Sequence, residues 1–124
     1  MMMKKTLVSA VSAVAIIMGT FGPMQATQAA GADVMEEGRD ISFDRKKGNC
    51  LACHAIDAKG ASLPGNIGPP LSNIKDRFTS KEKLRAQIFD ATVNNPNSIM
   101  PPFGKHKILS DKELDKVVEF IYSL

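Results

Sequence analysis

Two cysteines separated by two residues, with a histidine directly after the second, constrain this chain more than any other feature: Cys50-Leu51-Ala52-Cys53-His54. On a helical turn, positions i, i+3 and i+4 share one side, so both thiols and the imidazole face the same way. Three lesser readings compete. A thioredoxin-like redox pair needs a βαβ setting, and no strand pattern is visible. A zinc site wants about four ligands, and beyond the motif only His106 and carboxylates remain. A plain disulfide would leave His54 unused. The spacing predicts instead the covalent attachment of one haem, with Cys50 and Cys53 adding to its vinyl groups and His54 ligating the iron.

The start of the chain supports export. Met1 to Lys5 is basic, Leu7 to Met18 is apolar with small residues, and Thr27-Gln28-Ala29-Ala30 offers small side chains to a signal peptidase. That order predicts a secretory leader over residues 1–29, with cleavage after Ala29 fitting better than after Ala30. The apolar run is short for a membrane span, which weighs against an uncleaved anchor. Removing Lys4 and Lys5, and no acid, takes the formal charge from +3 to +1. A mature domain so near neutrality, residues 30–124, is a poor candidate for nucleic acid. Its core is modest, so a buried cofactor would help it fold.

The mature part predicts an all-α fold of three main helices joined by irregular loops. The first runs from about Val34 to Lys47, with Asp33 and Glu36 as a capping pair, Val34, Gly38 and Ile41 on one face, and Gly48 as its stop. A loop from about Ala55 to Phe78 follows, rich in Gly and Pro. It is too long to be idle in so small a domain, and wrapping a flat apolar cofactor explains it. The second helix is expected over Ser80–Val93, with Thr79 and Glu82 at its start. The third begins at Ser110, with Glu113 completing a capping box, Leu109 and Leu114 as a staple, and Leu114, Val117, Val118 and Ile121 as its apolar stripe.

A second axial ligand must come from elsewhere. After processing two methionines remain, Met35 and Met100. Met100 sits in a stiff loop, Met100-Pro101-Pro102-Phe103-Gly104, which suits a thioether held against iron. Met35 is expected to pack on the first helix. His106, between Lys105 and Lys107, is the rival ligand, but its setting reads as exposed surface. His54 needs an acceptor for its other ring nitrogen. Gly68-Pro69-Pro70-Leu71 offers one: the Pro69 carbonyl is the expected acceptor, and Leu71 is expected to pack on the haem. With both axial positions filled, such a haem shuttles single electrons rather than activating oxygen.

The order of haem motif, Gly-Pro-x-Leu loop and Met before a C-terminal amphipathic helix resembles class I cytochrome c. Phe43-Asp44-Arg45, Gly48 to His54, Leu63 to Leu71 and Asn95 to Gly104 together resemble more closely the SoxX family, the small monohaem subunits of SoxAX complexes. The resemblance implies a SoxA-type cytochrome partner, a periplasmic location, and oxidative coupling of thiosulfate to a carrier-protein cysteine. It assigns the sulfur chemistry to a cysteine-derived ligand of SoxA. The SoxX role it implies is taking electrons and passing them to a downstream acceptor cytochrome. This chain has no spare cysteine, so such an S-conjugating activity would not be its own.

The rival function is a free class I cytochrome c that docks transiently with several partners. Arg45-Lys46-Lys47 and Lys105-His106-Lys107 would then supply a charged docking patch. A permanent subunit would instead expose an apolar patch at the haem edge, with Pro102 and Phe103 as its expected members.

Overall fold

A computed structural model describes residues 26–124. The leader expected over residues 1–29 lies outside the described residues except for its last four, which form the first turn of α1. In chain order the elements are α1 (Ala26–Phe43), a 3-10 turn (Cys50–Ala52), α2 (Ile74–Arg77), α3 (Lys81–Phe89), a second 3-10 turn (Ala91–Val93) and α4 (Asp111–Tyr122). Among the described residues the β pairing is an isolated parallel bridge, Ile56 with Leu71. The fold is all-α, as in class I cytochromes c. Among the described residues, no helix is long and apolar enough to cross a membrane.

The terminal helices α1 and α4 pack against each other, and Gly38 is the reason they can come so close. A Cβ there would stand 2.1 Å from the Lys116 carbonyl oxygen and 3.0 Å from the Phe120 Cβ. One turn away, Phe43 and Phe120 meet edge to face, with centroids 5.9 Å apart. Leu114, Val117 and Ile121 bury the inner stripe of α4, each worth about 1.5–3 kcal/mol relative to exposure. α3 lies against α4, tied at the surface by Arg85 to Asp111 (2.9 Å) and Asp115 (2.7 Å), and by Lys81 to Glu119 (2.6 Å).

Helix α4 starts as its sequence predicts. The Ser110 hydroxyl accepts from the Glu113 N–H, the Glu113 carboxylate accepts from the Ser110 N–H, and Leu109 and Leu114 are both buried. The other two helices end differently from expectation. Asp33 and Glu36 lie inside α1 rather than capping it. The helix stops at Phe43 because the Asp44 carboxylate takes the Lys46 N–H at 2.8 Å, an alternative to helical continuation. Ser80, one residue later than expected, caps α3. Its end comes at Phe89, since extended Asp90 turns its carboxylate onto the Thr92 N–H at 3.1 Å. Within the expected loop, α2 goes beyond the sequence reading. Its one turn is held by fully buried Ile74 and by the Asn73 N–H donating to the Leu124 carbonyl.

Glu113 carries a pH dependence. The Lys47 ammonium first, and then the Ser110 donors, hold its carboxyl down to about 2 from an ordinary 4.5. A depressed carboxylate stabilises the fold above its unfolded value and loses that contribution as pH falls toward the folded one. The advantage of wild type over Glu113→Gln in melting temperature is therefore expected to be full at pH 7, reduced by pH 3 and nearly gone at pH 2. An advantage that stays constant over that range would show that Glu113 acts here as a neutral cap.

Candidate haem site

The haem motif sits on the 3-10 turn just after α1. Asn49, with φ of 47°, reverses the chain into it. Behind the turn, buried Ser42 donates to the Gly38 carbonyl at 2.7 Å, and the Gly48 N–H returns to the Ile41 carbonyl at 3.1 Å. Burial pushes the Cys50 thiol up to about 11, against a smaller opposing effect from the Ser42 hydroxyl.

The segment from Leu63 to Leu71 straps across this turn. The Gly65 N–H donates to the Leu51 carbonyl (2.7 Å), the Gly68 N–H to Cys53 (2.8 Å) and the Leu71 N–H to Ala55 (2.8 Å). The approach is close enough to require glycine twice. A Cβ at Gly65 would stand 1.9 Å from the Ala52 oxygen, and one at Gly68 would stand 2.4 Å from His54 Cε1. Held this way, the Pro69 carbonyl lies 2.7 Å from His54 Nδ1. A carbonyl oxygen can only accept, so the proton resides on Nδ1 and the Nε2 lone pair is left for a metal. Gly68→Ala is expected to cost about 1–3 kcal/mol by overpacking the imidazole. It should lower the melting temperature of the haem-loaded protein by on the order of 10 °C. A thermal scan with an unchanged midpoint would mean that the strap yields freely.

The strap, the motif turn and the Met100 loop enclose a cavity of about 640 Å³, within the usual size of a cofactor pocket. Cys50, Cys53, His54, Pro69, Leu71 and Met100 all line it. Its floor is aliphatic and aromatic, built from Ile74, Leu84, Ile88, Phe103, Leu109 and Val117, all buried. Two thiols and an imidazole on one wall, a thioether on the cavity lining and an apolar floor fit one haem. His106 is exposed and Met35 on α1 is half-buried, and neither belongs to this lining. What the sequence pattern does not declare is the close approach at Gly65 and Gly68 and the place of Ile74, Leu84 and Ile88 on the cavity floor. The glycines were visible only as loop formers, because what a Cβ would strike is a tertiary fact.

The apolar rim is placed differently from expectation. Phe103 is buried at 8% exposure and belongs to the floor, while Pro102 is half-buried. The apolar side chains at the mouth are Ile67 and Ile99, which are 64% and 78% exposed, with Ile108 beside them. Leu63, on the strap, is 96% exposed at a positive φ of 48°.

Three comparisons bear on this site. The family described as cytochrome c oxidase, cbb3-type, subunit III matches residues 33–121. The crystal structure of SoxXA from P. pantotrophus contains a chain of similar fold, with a TM-score of 0.62 and 31% identity, covering 69% of this chain and 77% of that one. An uncharacterized lipoprotein of Aquifex aeolicus (strain VF5) is 32% identical over 77 residues, 62% of this chain, which thus spans 37% of that relative's length. Motif, cavity and relatives agree on one covalently bound haem c, and Cys50, Cys53 and His54 fit the motif that attaches it. The chain belongs to the family of cytochrome c oxidase, cbb3-type, subunit III, and is a SoxX-like monohaem cytochrome c.

Proposed function

We propose that residues 30–124, freed of a leader at Ala29, act in the periplasm as the electron-transfer subunit of a SoxAX-type complex. A SoxA-type cytochrome is the partner. That complex couples thiosulfate oxidatively to a carrier-protein cysteine, and this chain passes the electrons to a downstream acceptor cytochrome. Haem bound at this site supplies a one-electron couple. The chain's own residues do the rest. Pro69 keeps the His54 proton on Nδ1. The strap and the buried floor keep water from the cavity. Met100 would hold the iron together with His54, which would leave no open site for small molecules and suit the site to electron transfer rather than substrate binding.

The observation that carries this reading is the rim. Ile67 and Ile99 stand exposed at the cavity mouth, where a permanent partner would cover them. The charged clusters that a transient carrier would use are partly spent within the chain. Lys47 pairs with Glu113, and Lys105 pairs with Asp90 at 2.7 Å. The 31% identity to a chain of SoxXA points the same way. Gentle purification from the native host tests it. A second cytochrome is expected to elute with this chain through size exclusion at physiological salt. Recovery as a lone monomer in repeated preparations would favour the free carrier.

A further inference from the structure

Around Met100 itself the loop makes few hydrogen bonds. Pro101 and Pro102 have no N–H to donate, and the Met100 N–H reaches the Ser98 hydroxyl at 3.3 Å. The loop is fastened farther along, at the C-terminal end of α3. There the Phe89 carbonyl accepts from both the Gly104 and Lys105 N–H groups, each at 3.2 Å. Gly104 lies so tightly on the Phe89 ring that a Cβ would stand 2.0 Å from Cδ2.

The next residue is Asp90, whose carboxylate not only ends α3 but also reaches across to the Met100 loop. Its side chain is 8% exposed, against 40% or more for both partners of the Lys81–Glu119 pair. One carboxylate oxygen takes the Thr92 N–H at 3.1 Å and the Thr92 hydroxyl, and the other takes the Lys105 ammonium at 2.7 Å. A carboxylate this enclosed is stable only while it is paired. Lys105, and then Thr92, hold it below its ordinary range. Lys105 lies five residues beyond Met100, so releasing it would free a short segment rather than the whole fold.

We propose that Asp90 is a positioning residue for Met100: with Lys105 it latches the base of the Met100 loop to the end of α3. The latch sets how often the thioether leaves its place. This rests on Met100 being the second axial ligand, and the test separates the two.

Imidazole added to the ferric, haem-loaded protein competes with Met100, and its binding is followed by loss of the long-wavelength band of thioether ligation. Asp90→Asn keeps the side-chain shape and an acceptor for Thr92 but gives up the charge that holds Lys105. The variant is expected to retain the band without imidazole, and to bind imidazole about tenfold more tightly than wild type. Lys81→Gln, which breaks an ordinary surface pair, should stay within about twofold. An Asp90→Asn protein that shows the band and binds imidazole within about twofold of wild type overturns the latch while leaving the ligand intact. A wild-type protein without the band overturns the ligand reading first, and the latch with it. Should Asp90→Asn fail to accumulate, Lys105→Gln cuts the same link from its exposed side, and the same threshold decides.

Discussion

The mature chain carrying both Cys50→Ala and Cys53→Ala is expected to be largely unfolded in buffer, with weak helical circular dichroism and no cooperative thermal transition. The reason lies in how the core is arranged. Residues that bury most completely, among them Ile74, Leu84, Leu109 and Val117, also line the 640 Å³ cavity. They therefore pack around the cofactor as well as against each other. Without haem those side chains face water through the open mouth instead of a cofactor, and each forgoes part of the about 1.5–3 kcal/mol that full burial contributes. Summed over several residues, that loss is comparable with the roughly 5–15 kcal/mol of net stability of a small domain. Collapse of the loops would recover part of the loss. Yet the strap is fastened to the motif turn by three backbone hydrogen bonds at 2.7–2.8 Å, so it cannot close on the gap without breaking them. A cooperative melt of the haem-free variant, near that of the haem-loaded protein, would show that the helices alone suffice and would remove the structural role of the haem.

How far the residues declare this arrangement depends on the range of the interaction. α4 was legible to the residue, because Ser110, Glu113, Leu109 and Leu114 act within one turn. The ends of α1 and α3 were not. Each is decided by an aspartate, Asp44 or Asp90, that bonds a backbone N–H two residues on, and the same residue type sits harmlessly within α4 as Asp115. Long-range placement was the least legible. Ile74 nucleates α2 only because the fold brings Leu124 to the Asn73 N–H. Phe103 looks like rim in a Pro-rich loop, but it turns inward to the floor, and Ile67 and Ile99 stand outside instead. The haem motif needed no such context. Its five residues name their chemistry by spacing, whereas the acceptor to His54 had to be inferred from a proline segment that presents carbonyls without donors.

Met100→Ala is expected to abolish the long-wavelength band of the ferric protein and to lower its reduction potential. The shift should be on the order of 0.1 V or more, a fraction of the ~0.8 V over which axial ligands set haem potentials. A neutral thioether is a weak donor that favours the reduced state, so its loss to water or a nitrogen ligand stabilises the oxidised one. Fold and ligation should separate cleanly in this variant. Met100 is only half-buried, on the cavity lining, while the loop's buried anchor is Phe103. The melting temperature should therefore fall less than the spectrum changes. His106→Ala provides the contrast. The imidazole is exposed and lies outside the cavity lining, so its removal should leave both band and potential unchanged. If Met100→Ala instead kept the wild-type spectrum and His106→Ala lost it, the loop would have to turn over to bring His106 inward. That would break the Lys105–Asp90 pair and the bonds of Gly104 and Lys105 to the Phe89 carbonyl. Because those attachments fix the loop with Met100 facing the cavity, the spectrum of these two variants reads out the loop's orientation directly.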